Sequence, residues 1–131
     1  MRSYKELDAW KLSMELAKKI YDITATFPAR EMYGLSSQMQ RAAVSVPSNI
    51  AEGSGRNSMK EFVQFIYLSR GSLLELETQL ELSRMLGYLD EEKCNEIAKP
   101  ITRVHKIING LIFALKNSRT TNNPQPTTSE G

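Results

Sequence analysis

The chain has little of what most catalytic or secreted folds need: one cysteine, one histidine, one tryptophan and 8% aromatic residues in 131. A lone Cys94 excludes an intramolecular disulfide and suits a reducing compartment. His105 is the only histidine and is not part of a Glu-x-x-His pair, which removes the di-iron carboxylate bundle as a reading and leaves a single haem ligand as a formal alternative. No apolar run is long enough to span a bilayer, and Met1 to Asp8 carries acidic residues where a signal peptide needs an apolar core. A soluble, cytoplasmic protein is therefore expected. Charge of one sign is missing too: 17 Lys and Arg against 15 Asp and Glu leave +2. The pI near 8.7 does not by itself announce nucleic-acid binding, and any polyanion contact has to come from a local patch.

Apolar periodicity predicts four helices and no strand. Leu7, Trp10, Met14, Ala17, Tyr21 and Thr24, with Ile20 and Phe27 alongside, form the stripe of the first, which Phe27-Pro28 ends. Its outer face alternates charge, and Glu15 to Lys19 has the favourable i,i+4 polarity. The second runs from about Leu35 to Arg56 with Leu35, Met39, Ala42, Val46 and Ile50 on one stripe and Pro47 inside, where a kink is expected. Gly53, Gly55 and Asn57 make the turn, and Ser58 with Glu61 has the form of a capping box. Phe62, Ile66, Ser69, Leu73, Leu76, Leu80 and Ser83 continue to Leu86, where Gly87 provides a left-handed stop. Asp90 caps the fourth helix, whose stripe is Ile97, Ile101, Val104, Ile108, Leu111 and Leu115, with Pro100 within it. This predicts an all-α, up-down-up-down antiparallel four-helix bundle over residues 1–118, each helix about 30 Å long, followed by a disordered polar tail over 119–131.

Between Arg41 and Glu52 the second helix carries no charge on any face, and a helix bare of charge is usually buried all round. One layer of neighbours in so short a chain cannot easily cover every side, so the surplus face reads as a contact with another subunit. Beside the apolar stripe runs a polar one: Gln38, Arg41, Ser45, Ser48 or Asn49, Glu52 and Arg56. Counting back from the turn places Arg41 across from Leu74 or Glu75, and Ser45 near Ser69 and Arg70, which makes an Arg41–Glu75 pair geometrically feasible. This stripe reads either as a structural network that fixes helix register or as a subunit or ligand contact.

Catalytic constellations are missing. Gly53-Ser54-Gly55-Arg56 lacks the Lys-Ser/Thr ending and preceding strand of a phosphate loop. Cys94 and the serines show no catalytic neighbourhood, and Glu75, Glu77 and Glu81 suit capping, pairing or solvation. No enzyme, cofactor or metal is expected. On the fourth helix Lys99, Arg103 and Lys106 share one face, with Lys116 and Arg119 beyond. This is a solvated face in one copy; repeated around a ring it becomes a broad basic surface that contacts phosphates without reading sequence. Tyr67, Tyr88 and Phe113 are not expected to interleave with it as stacking residues.

Trp10, Phe27-Pro28, Glu31, Tyr33-Gly34-Leu35, Gln38, Arg41-Ala42, the run Ser45 to Gly53, Gly55-Arg56, Gly71-Ser72 and Glu75-Leu76-Glu77 resemble the bacterial four-helix bundle proteins called 23S rRNA intervening-sequence proteins. The resemblance spans about Tyr4 to Lys116; Ser69, where the family more often has alanine, and the tail from Arg119 depart from it. It implies a bundle that closes into a homopentameric ring, similar in fold to the accessory protein of diversity-generating retroelements, which binds nucleic acid and a reverse transcriptase. It transfers no catalytic residue, and a gene's place inside an rRNA insertion is no evidence that its product binds ribosomes. The expected function is a non-enzymatic homo-oligomer that binds RNA or DNA backbone through a composite basic surface. The alternative is a protein-interaction scaffold or accessory subunit with no nucleic-acid role of its own.

Overall fold

A computed structural model describes residues 3–122, which form four antiparallel helices: α1 (Asp8–Thr24), α2 (Leu35–Ser54), α3 (Met59–Met85) and α4 (Glu91–Asn122). Each packs on its sequence neighbour and α1 meets α4 to close the bundle, while the diagonal pairs bring no Cα atoms within 8 Å of each other. The helices are unequal. Pro28 and the Gly53–Gly55 turn hold α1 and α2 to 17 and 20 residues, whereas α3 and α4 reach 27 and 32. At 1.5 Å per residue that is about 26 and 30 Å against about 40 and 48 Å, so the equal lengths expected are corrected. Helix α4 continues over 119–122, and the rest of the expected tail lies outside the described residues.

The predicted caps form. Ser58 Oγ accepts the Glu61 amide at 3.2 Å and Asp90 Oδ1 accepts the Lys93 amide at 2.8 Å. Gly87, at φ +80°, ends α3 in a Schellman turn: its amide donates to the Arg84 carbonyl, and that of Tyr88 to Ser83. Both prolines inside helices, Pro47 and Pro100, are accommodated without ending them.

The apolar stripes of α2, α3 and α4 lie in the core, with one substitution of face on α4, where Ile112 is buried and Leu111 only half-buried. The α1 stripe is rotated from expectation. Ala9, Ser13, Leu16, Ala17, Ile20 and Thr24 are buried, while Met14 and Tyr21 are 45% and 48% exposed. Small residues let α1 sit close to the bundle, and the two hydroxyls bond back to their own helix, Ser13 to the Trp10 carbonyl at 3.0 Å and Thr24 to that of Ile20 at 2.7 Å. On the outer face it is Lys18 and Asp22 that pair, at 3.4 Å, rather than Glu15 and Lys19.

One end of the bundle is tied by Glu31. Its Oε1 accepts the Leu35 amide at 3.0 Å, capping α2, and its Oε2 accepts the Tyr88 hydroxyl at 2.6 Å, joining the α1–α2 connector to the α3–α4 turn. The Tyr88 bond, then the backbone bond, holds the Glu31 carboxyl below its ordinary 4.5, and the same bond raises the Tyr88 phenol above 10.0. A lowered folded pKa gives stability that is present above the unfolded value and lost as pH falls through the folded one. Acid melts should therefore show wild type losing stability below pH 4.5, and Glu31→Gln showing less of that loss at a lower starting stability.

At the opposite end of α2, Gly53 is buried where α2 and α3 converge: an added Cβ would meet Phe65 Cβ at 2.6 Å and Phe62 Cδ1 at 3.0 Å. Gly53→Ala is expected to destabilise by about 1–3 kcal/mol in denaturant titration, as overpacking of a close contact does. Gly71→Ala, with nothing within 4 Å of the added carbon, should be neutral or stabilising.

Candidate nucleic-acid interface

The polar stripe of α2 lies beside α3 and divides into a bonded and an open part. Ser45 Oγ accepts the Ser72 hydroxyl at 2.8 Å and the Asn49 amide at 2.9 Å, and Asn49 Nδ2 also reaches the Ser45 carbonyl at 2.9 Å. Deeper in, Ser69 Oγ donates to the Val46 carbonyl at 2.8 Å. Glu52 and Arg56 pair at 3.0 Å on the surface, with the Arg56 guanidinium 4.6 Å from the Phe65 ring centre. Toward the other end, Tyr33, Gln38, Arg41, Ser45, Ser72 and Glu75 line one open recess. Arg41 and Glu75 thus come together as the spacing implied, but no ion pair within 4.0 Å forms between them. The exposed Ser48 instead borders an apolar groove between α1 and α2 with Trp10, Met14, Tyr21, Val44 and Pro47. Val44 is 40% exposed, so the uncharged segment is covered on its core side only. A double-mutant cycle with Ser45→Ala and Ser72→Ala should give a coupling of about 0.5–1 kcal/mol in stability, the net value of one such bond.

The basic residues of α4 do not share one surface. With 3.6 residues per turn, Lys99, Arg103 and Lys106 fall within about 60° of each other, and Lys116 lies about 100° round from Lys99. Lys99 and Arg103 border a cleft against α1, with Lys19 and the carboxylates Glu15 and Glu96 also in its wall. Lys99, Arg103 and Lys106 make no ion pair among the described residues. Lys116 faces α3, where its Nζ donates to the Tyr67 hydroxyl at 2.9 Å and lies 5.5 Å from that ring's centre. Arg70 also stands 4.9 Å from the Tyr67 centroid and donates to Asn109 Oδ1 at 2.9 Å. The expectation that aromatic residues stand apart from the basic ones is thus corrected for Tyr67. Arg70 was missed by sequence reasoning because its partners sit 39 positions away on α4 or on its own helix's inner side, and no local motif marks them.

Several other titratable groups are paired or buried. His105 Nδ1 lies 3.4 Å from Glu77 Oε2, and Glu81 pairs with Arg84, a bond that lowers the Glu81 carboxyl and raises the guanidinium. Burial pushes the Cys94 thiol above 9.0, so it is protonated at neutral pH. Among the described residues no group of three or more His, Cys, Asp or Glu is placed to hold a metal ion, and no helix is long and apolar enough to cross a membrane.

The same arrangement of helices occurs in the crystal structure of a protein of unknown function from the S23 ribosomal protein family of Bacteroides thetaiotaomicron. The chain is similar to it with a TM-score of 0.71 and 23% sequence identity, covering 79% of this chain and 97% of that one. No curated protein matches. The profile of the 23S rRNA-intervening sequence proteins matches residues 5–110, from the turn before α1 into the middle third of α4 and across the whole Ser45–Gly53 run. The chain therefore belongs to the 23S rRNA-intervening sequence protein family.

Proposed function

We propose that the protein is a non-enzymatic homo-oligomer, a ring of about five subunits, that binds the backbone of RNA or DNA through a basic surface repeated from subunit to subunit. The observation that carries this is the Lys99, Arg103 and Lys106 face of α4, three exposed cations on consecutive turns with no carboxylate partner among the described residues. By contrast, Lys18, Arg56, Arg84 and Lys93 each pair with a carboxylate within a turn. Cations already neutralised by a neighbour gain little from a phosphate, whereas unpaired ones release its counterions at full strength.

Self-association is supported by the groove between α1 and α2. Met14, Tyr21 and Val44 are each at least 40% exposed and lie together with Trp10 and Pro47, apolar side chains that a second subunit would remove from water. The same groove supports the second reading, a scaffold or accessory subunit for another protein, for example a reverse transcriptase.

Light scattering on the size-exclusion peak, with and without structured RNA at low and high salt, tests the proposal. The expected result is a mass near five times the 14.8 kDa subunit that rises with RNA only at low salt. Replacing Lys99, Arg103 and Lys106 together by Gln should flatten the log–log salt dependence by about 0.7–0.9 per lost phosphate contact. Val44→Glu should lower the protein mass toward one subunit. A wild-type peak that ignores both RNA and DNA at low salt would discard nucleic-acid binding and leave the scaffold.

A further inference from the structure

The α3–α4 side of the bundle holds a second cationic patch, built differently from the Lys99–Lys106 face. No Asp or Glu occurs on α3 between Glu61 and Glu75, nor in the sequence between Glu96 and Glu130. The facing parts of the two helices therefore form an acid-free surface that carries Arg70 and Lys116, with Lys106 at its edge next to the Glu77–His105 pair. The nearest acid along the α3 stripe, Glu77, is two turns from Arg70 and is engaged with His105.

Arg70 is fixed by neutral groups, the Tyr67 ring and the Asn109 amide, and by no carboxylate among the described residues. Its guanidinium is thus held in one geometry without being discharged. An anion that binds it meets a full charge whose side-chain entropy has already been lost, which is the economy of preorganisation. Lys116 is set on the same ring through its hydroxyl. Along α4 the outward positions Lys106, Asn109, Phe113 and Lys116 follow at steps of three and four, so they lie in one line about 15 Å long. Phe113 stands in that line between the two lysines and is 68% exposed, an aromatic face of this size left in water beside cations. A buried role does not account for it, since Ile108, Ile112 and Leu115 fill the core on the opposite side of the turn.

Cations at intervals with an accessible aromatic ring among them are what single-stranded nucleic acid requires: phosphates along the backbone and a π-face for a splayed base. A duplex keeps its bases stacked and has no use for Phe113. Resting on the proposed nucleic-acid role, we infer that Arg70, Lys106, Phe113 and Lys116 form a binding track for single-stranded nucleic acid, with Phe113 stacking a base and the three cations taking phosphates. Tyr67 and Asn109 are positioning residues that hold Arg70 in place. Lys106 lies at the edge of both cationic areas, so a strand on this track continues onto the Lys99 and Arg103 face.

Fluorescence anisotropy at low salt with labelled oligouridylate, oligodeoxythymidylate, a duplex and an abasic strand of equal length tests the track, with each variant's melting curve and scattering mass confirming that it folds and assembles as wild type does. Wild type should prefer single strands over the duplex, in RNA, DNA or both. Phe113→Ala should weaken oligouridylate or oligodeoxythymidylate binding about tenfold, the order expected for one stacked base, leave the abasic strand unaffected, and be rescued by Phe113→Tyr. Arg70→Gln and Lys116→Gln should each flatten the salt dependence by about 0.7 on every strand. Wild-type binding unchanged by Phe113→Ala and Arg70→Gln but lost with Lys99→Gln and Arg103→Gln would overturn the track and keep the proposed function. A preference for duplex would also overturn it, and absence of binding to any strand would overturn both.

Discussion

The approach of α2 to α3 is the constraint on which the molecule turns. At Gly53 the two backbones come so near that no β-carbon fits between α2 and the Phe62 and Phe65 side chains. Further along, the gap is filled by hydroxyls: Ser69 reaches the Val46 carbonyl and Ser72 meets Ser45. These bonds lie across the interface at successive turns, so the two helices cannot slide by a turn without stranding a buried hydroxyl. With that register set, Glu52 and Arg56 pair on the surface and α3 offers its inner stripe to α1 and α4. Small and polar residues thus do here what large apolar ones do elsewhere in the core.

Much of this was legible in the sequence because the relevant information is local. The Ser58 and Asp90 caps, the left-handed Gly87 and the stripes of α2 and α3 follow from residues within one or two turns of each other. Helix α1 was misread for a physical reason. Met14 and Tyr21 are the larger apolar residues, and periodicity gives them the core, but Ser13 and Ala9 permit a closer approach and turn the larger side chains outward. The polar stripe was placed on the correct helix face, yet which members bond was not available from spacing. Ser45 finds Ser72 at 27 residues' separation, and Arg41 reaches the Glu75 recess without pairing. Arg70 shows the same limit, since a cation held by a ring and an amide has no charge pattern to betray it.

Charge is distributed unevenly along the long hairpin. Around the α3–α4 turn stand Glu77, Glu81, Asp90, Glu91, Glu92 and Glu96 against Arg84 and Lys93, while residues 62–74 of α3 and 97–122 of α4 contain no Asp or Glu and carry Arg70, Lys106 and Lys116. A net charge of +2 conceals this separation. Two poles on one rigid hairpin orient a polyanion before it touches, favouring approach from the basic end and repelling it from the other. The Glu31–Tyr88 tie lies at the acidic pole, so the part of the fold that closes the bundle end is separate from the basic stretch of the hairpin.

The order of packing has a kinetic consequence. Each helix rests on its neighbour in sequence, and among the four helices only the α1–α4 pair joins elements that are not consecutive in the chain. Bundles with such local contacts fold within microseconds to milliseconds. A nascent chain therefore completes its core quickly, with its single thiol inside. For the ring proposed above, the slow, concentration-dependent step would then be the meeting of finished subunits rather than the folding of any one of them.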